Sequence, residues 1–128
     1  MFFLVDEYRV GWALRYLREA KADIMNAEKA PALSISVDFS LLSMRKSQAA
    51  VYFCLGDPAY LDSMVKFKLK MGGKIGDAFM DCLVQIEKII QRVTMQTNVY
   101  DGSRSLREAK YINEIAQEMV ELVTGVEI

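Results

Sequence analysis

Seven consecutive uncharged residues, Ala49 to Leu55 (AAVYFCL), form the longest apolar run in the chain and close the stretch Val37–Leu55. A membrane helix needs about 20 such residues, so a run this short has to be buried inside a fold. Val37, Leu41, Met44, Val51 and Leu55 make one helical row, and Leu42, Ala49, Tyr52 and Phe53 make a second. Two rows require neighbours on more than one side. Behind them stands Gly56-Asp57-Pro58. Glycine offers a left-handed exit from a helix, aspartate an N-cap, and proline suits the first position of the next helix. The stretch therefore predicts the central helix of an all-helical bundle, followed by a helix-turn-helix joint.

The flanking segments fit the same architecture. From about Leu4 to Lys29, Val10, Leu14, Leu17, Ile24 and Ala27 form an apolar stripe, widened by Leu4, Tyr8, Trp12 and Tyr16. Arg9, Arg15, Arg18, Glu19, Lys21 and Asp23 supply its wet face. Pro31 ends this helix, because a residue before proline is pushed out of helical geometry. Ser34 or Ser36 is then available to cap the central helix. From Pro58 to Met71 two patterns compete. Tyr60, Leu61, Met64, Phe67 and Met71 fit a helix, while Val65 to Met71 alternate as a strand would. A strand needs a partner, and nothing else in the chain alternates, so a helix is expected. Gly72-Gly73 breaks it. Phe79, Leu83, Ile86, Ile90 and Val93 then stripe a helix over roughly Gly76–Gln96, with Asp77 placed to complement its dipole. Asn98 to Gly102 reads as a turn. Ser105 with Glu108 reads as a capping box for a last helix lined by Leu106, Ala109, Ile112, Ala116, Met119 and Val123. Short joints make antiparallel neighbours. The expected fold is all-α, an up-and-down antiparallel bundle of four to five helices in one domain spanning 1–128.

Composition removes more functions than it suggests. The 128 residues contain no histidine, which takes away the usual general base and the commonest transition-metal ligand. A net charge of −1 argues against a globally steered grip on nucleic acid, although a local basic patch can still exist. No basic leader and no adequate apolar stretch is seen, so a cytoplasmic protein without membrane contact is expected. Cys54 and Cys82 lack metal-ligand spacing and fall on apolar parts of helices, where reduced buried thiols are expected over a disulfide or a reactive role.

Few residues remain as candidates for chemistry. Glu114, Glu118 and Glu121 share a face of the last helix. Bundles that hold two metals add Glu-x-x-His pairs to such carboxylates. With no histidine and no matching acidic pair, a solvated face is expected, with no metal and no cofactor; Asp77 and Asp81 read the same way. The segment MGGKIGD, Met71 to Asp77, does not match a phosphate loop and reads as a joint. Lys74 could still meet a phosphate at the following helix N-terminus. Lys66, Lys68 and Lys70 gather beside it, and Arg104 and Arg107 open the last helix. Arg45 and Lys46 are odder, because they interrupt the most apolar helix. They either snorkel or pair with an acid of the first helix, or they serve a phosphate or an interface.

Three stretches carry a family resemblance: VGWALRYLREAKADIMNAEKA (Val10–Ala30), RKSQAAVYFCLG (Arg45–Gly56) and SLREAKYINEIAQEMVELV (Ser105–Val123). An aromatic followed by a leucine-alanine stripe, a Gln-Ala-Ala start leading to Leu-Gly, and a capping serine before Arg-Glu-Ala together resemble the HEPN superfamily of helical bundles. They cover less than half of the chain. The resemblance implies an up-and-down bundle that forms homodimers, often beside a nucleotidyltransferase or within a toxin-antitoxin pair. Catalytic members are metal-independent ribonucleases with an Arg-x-x-x-x-His motif. The matching stretch here is Arg92 to Thr97, with Tyr100 following, and threonine stands where the histidine would be. The resemblance thus implies a non-catalytic subunit binding a nucleotide, an RNA or a protein partner; Arg92 of that motif, with Arg45, Lys46 and Lys74 from the pattern of charges, are the contacts expected. The alternative is a structural or interaction bundle that homodimerises and has no small-molecule ligand.

Overall fold

In the computed structural model, residues 7–72, 77–95 and 102–128 are described. They form α1 (Glu7–Lys29), α2 (Leu33–Leu55), α3 (Pro58–Met71), α4 (Ala78–Met95) and α5 (Gly102–Thr124). The fold is an all-α antiparallel bundle. No helix among the described residues is long and apolar enough to cross a membrane.

The direction of each helix follows from its contacts. Ser36 Oγ donates to the Ala27 carbonyl at 3.0 Å and Ser43 Oγ to that of Ala20 at 2.8 Å, so α2 runs back along α1. Lys110 lies 3.9 Å from Glu28, which sets the start of α5 beside the end of α1. Two apolar clusters complete the frame. One joins Leu17, Val51, Leu83 and Val120; the other joins Ile24, Met44, Ile90 and Ile112. Hence α1 and α4 run one way, and α2 and α5 the other. The short α3 is inserted in the connection between α2 and α4 and adds Leu61 and Val65 to the first cluster. As expected from its two rows, α2 is central: it packs on all four other helices.

Small side chains allow α2 so many neighbours. Ser36, Ser43 and Ala50 recur every seven residues along the face that meets Ala13, Ala20 and Ala27 of α1, and all six are buried. Ser40, Ser47 and Cys54 make a second buried row one step round the helix. Within it, Ser47 Oγ accepts from Asn113 Nδ2 of α5 at 3.2 Å. Residues this small bring backbones together and gain dispersion contact along the whole seam. Hydroxyls that bond to carbonyls of the neighbouring helix add about 1 kcal/mol each.

The joints repeat the expected chemistry in part. Asp57 Oδ1 accepts from the amides of Ala59 at 3.0 Å and Tyr60 at 3.5 Å, with Pro58 in the first turn of α3. Asp77 likewise caps α4 through Phe79 and Met80. Val65 to Met71 are helical: Leu61 and Val65 turn inward, and the alternating residues beyond them do not share a face.

Several local expectations are corrected. Helix α2 starts at Leu33, with Ala32 at its N-cap and no side-chain cap; Ser36 is inside, bonded to α1. Gly56 leaves α2 in extended geometry (φ 168°), and among the described residues Gly72 and Gly125 are the glycines with positive φ. Ser105 is fully buried within α5 with an unpartnered hydroxyl, because the helix begins at Gly102 and leaves Ser105 no cap to make. Gly102 is thus helical rather than part of a turn, and 98–101 lie outside the described residues. Asp23 is buried, not wet, and Leu42 is 44% exposed, since the serine rows take the positions nearest α1 and α5.

Candidate functional site

Successive residues of a helix point about 100° apart, so Arg45 and Lys46 leave α2 toward different neighbours. Lys46 reaches α1, with Nζ 2.9 Å from Asp23 and 3.4 Å from Glu19. Burial works against its charge, but the bonds to Asp23 and Glu19 outweigh it and hold the lysine above its ordinary pKa. Glu19 is held below its ordinary range by the hydrogen bond from Arg15, at 3.1 Å, and by Lys46.

Arg45 reaches α4. Its Nη1 donates to Glu87 Oε1 at 2.8 Å and to Gln48 Oε1 at 3.0 Å. Gln48 Nε2 donates to the same glutamate oxygen at 2.7 Å, and Gln91 Nε2 to the other at 2.9 Å. Glu87 has no exposure at all, while the Arg45 side chain keeps 43% of its surface in solvent. A carboxylate this deep is tolerable only with a countercharge and donors for its lone pairs, and α2 and α4 supply both. One turn further along α2, the Tyr52 hydroxyl is buried without a hydrogen-bond partner. Burial raises the Tyr52 pKa, and the charges of Asp62 and Glu87 raise it further.

Two of the four cations singled out in the sequence therefore turn toward different helices. Arg45 and Lys46 are engaged by acids of α4 and α1. Arg92 is exposed in the last turn of α4. Lys74 lies outside the described residues, as do Thr97 and Tyr100. Among the described residues no group of acids and cysteines could hold a metal. Cys54 is buried and its thiol is pushed up to about 12 by desolvation; Cys82 is half-buried and raised by desolvation, then by Glu118. Such thiols are poor nucleophiles.

No protein-family model, curated protein or solved structure matches this chain.

Geometry alone then has to carry the functional reading, and it draws attention to surfaces. Tyr60, Phe67 and Met71 lie along the outer side of α3 at 65%, 62% and 69% exposure, with half-buried Met64 between them. Their spacing of four, three and four is that of a helix seam with no helix on it. On α5, Leu122 is 76% exposed beside an open hollow lined by Glu118, Glu121, Val126 and Glu127.

Sequence reading missed Glu87 and the α3 seam. Glu87 stands four residues after Leu83 and three before Ile90, squarely in the buried stripe, and that register was the available signal. The α3 seam was legible as apolar positions at helical spacing, without a sign of which of them face solvent.

Proposed function

We propose that this protein is a non-catalytic binding subunit of the cytoplasm that acts through protein-protein contact. One contrast carries the reading. The two cations that interrupt α2 are neutralised from within the fold, whereas an aromatic and methionine seam on α3 is left open to solvent. Burying apolar and aromatic surface is what drives protein association, and Arg45 and Lys46 are committed to Glu87 and Asp23 rather than open to a phosphate. Absence of histidine supports a subunit without acid-base chemistry. Kinship with the HEPN superfamily is part of this proposal; that family's habit of pairing with itself or with a nucleotidyltransferase agrees with it.

Calorimetric titration with nucleoside triphosphates and short single-stranded RNAs, with Arg92→Ala as control, tests the reading. It expects no heat of binding from either ligand class. Saturable binding of a nucleotide or RNA that is lost in Arg92→Ala would replace protein contact with ligand binding.

A further inference from the structure

Helix α3 has three sides. Leu61 and Val65 face the bundle, Asp62 and Lys66 bond to each other at 2.9 Å on a second side, and the seam takes the third. At about 100° per residue, Tyr60, Met64, Phe67 and Met71 fall within about 60° of one another. Lys70 stands about 60° beyond one edge of that strip and Lys68 about 40° beyond the other. Asp62 falls about 170° from its centre. The seam is therefore bordered by a lysine on each side and by no acid of its own helix. Among the described residues neither Lys68 nor Lys70 has an ion pair. Next door, α4 exposes Lys88 and Arg92, whereas its acids Asp81 and Glu87 are half-buried and buried. Among the described helices α3 packs on α2 and α4 alone, so the strip is left uncovered.

We infer that the seam of α3 docks an acidic amphipathic helix of a different protein. That helix carries apolar residues at alternating spacings of three and four, with Asp or Glu on both flanks. The inference rests on the protein-contact reading and gives the chemistry of the partner.

Width selects a helix as the occupant. A core-facing helix shows an apolar stripe of about 100° or more, and a helix lying in a lipid surface needs a broad apolar face as well. A narrower strip is what one facing helix covers. The 14 residues of α3 make about four turns, so one partner helix of similar length meets all four seam residues. Charge selects the kind of helix. Its flanking residues come to lie beside Lys68 and Lys70, at the positions where opposite charges set partner choice between paired helices. A second α3 would set lysine against lysine, whereas an acidic partner meets an opposite charge on both sides. Side-chain type suits the role too. Methionine adapts its shape to a facing surface, and aromatic rings bring a large contact area at low entropy cost.

Selection from two displayed libraries of helices about five turns long tests it. Both libraries carry Leu, Ile, Met or Phe at the a and d positions; one has Glu at the flanking e and g positions and the other Lys. The immobilised full chain is expected to enrich the Glu library and not the Lys library. Phe67→Glu, with helicity confirmed by circular dichroism, is expected to weaken the enriched peptides by about tenfold or more in fluorescence anisotropy. Lys68→Glu with Lys70→Glu should invert the preference toward the Lys library, because the flanks then carry the opposite charge. Enrichment of neither library, peptides indifferent to Phe67→Glu, or a preference that the double variant leaves in place would each overturn the inference. Vesicles of phosphatidylserine and phosphatidylcholine that capture the wild type but not Phe67→Glu would assign the seam to lipid. A wild-type dimer in sedimentation velocity that Phe67→Glu dissociates would assign it to a second copy. Either result overturns the docked acidic helix. Its failure leaves the protein-contact reading to the surface around Leu122, whereas nucleotide or RNA binding in the calorimetry removes that reading itself.

Discussion

At the scale of single residues, Glu87 decides more than its one charge suggests. Removing one partner of a buried ion pair costs about 3–5 kcal/mol, because the other charge is stranded, whereas replacing the set with apolar groups is often neutral. Arg45→Ala is therefore expected to destabilise the fold by about 3 kcal/mol in urea unfolding, and Lys46→Ala, which strands the buried carboxylate of Asp23, by about as much. Replacing Arg45, Gln48 and Glu87 together by methionine, leucine and leucine should recover most of the loss. If Arg45→Ala proves harmless, Glu87 is not relying on that guanidinium. Tyr52→Phe removes a buried hydroxyl without a partner and is expected to leave stability unchanged or raise it by up to about 1 kcal/mol.

Among the elements, α2 is where packing departs most from pattern. Its serine rows occupy positions that a hydropathy reading assigns to solvent. Ser43→Leu forces a larger side chain against Ala20, and overpacking of this kind costs about 1–3 kcal/mol beyond the lost hydrogen bond. Ser40→Ala should be neutral or stabilising, since the Ser40 hydroxyl is buried and unpartnered. Thermal melts of the two variants are expected to shift in opposite directions or, for Ser40→Ala, not at all. The spacing of Ser36, Ser40, Ser43 and Ser47 was visible in the sequence. What was not visible is that α1 brings Ala20 and Ala27 to meet it, because a serine looks the same whether water or a carbonyl of another helix takes its proton. Helix α3 gave the reverse lesson: its apolar residues were legible, but their division into an inner pair, Leu61 and Val65, and an outer seam depends on where α4 lies.

For the whole molecule, four buried or paired groups, Cys54, Cys82, Tyr52 and Lys46, titrate in one direction. Cys54 is raised from 9.0 to about 12, Tyr52 is raised from 10.0, and Lys46 from 10.5. A group that holds its proton more tightly when folded contributes fully below its unfolded pKa and loses that contribution as pH rises toward the folded value. Stability should thus be level near neutrality and fall as pH climbs above about 9, where Cys54 and Cys82 ionise in the unfolded chain but not in the fold. Cys54→Ala, despite the small cavity it leaves, should make that decline shallower. Melting temperatures followed from about pH 7 to about pH 11 check this; a flat profile would mean that these groups ionise as readily folded as unfolded. Glu19 has the opposite sign, its contribution being lost only as pH falls through its lowered folded value.

By itself the sequence determined the class of fold, the central place of α2, the Gly56-Asp57-Pro58 joint and the absence of histidine chemistry. Each is carried by short-range information: periodicity, a cap, a proline, a missing residue type. The tertiary structure alone decided that Arg45 and Lys46 part company toward α4 and α1, that Glu87 and Asp23 are inside, and that α3 shows a seam to solvent. Burial and pairing belong to two elements at once, and the pattern along one helix does not say which of its faces its neighbours will cover.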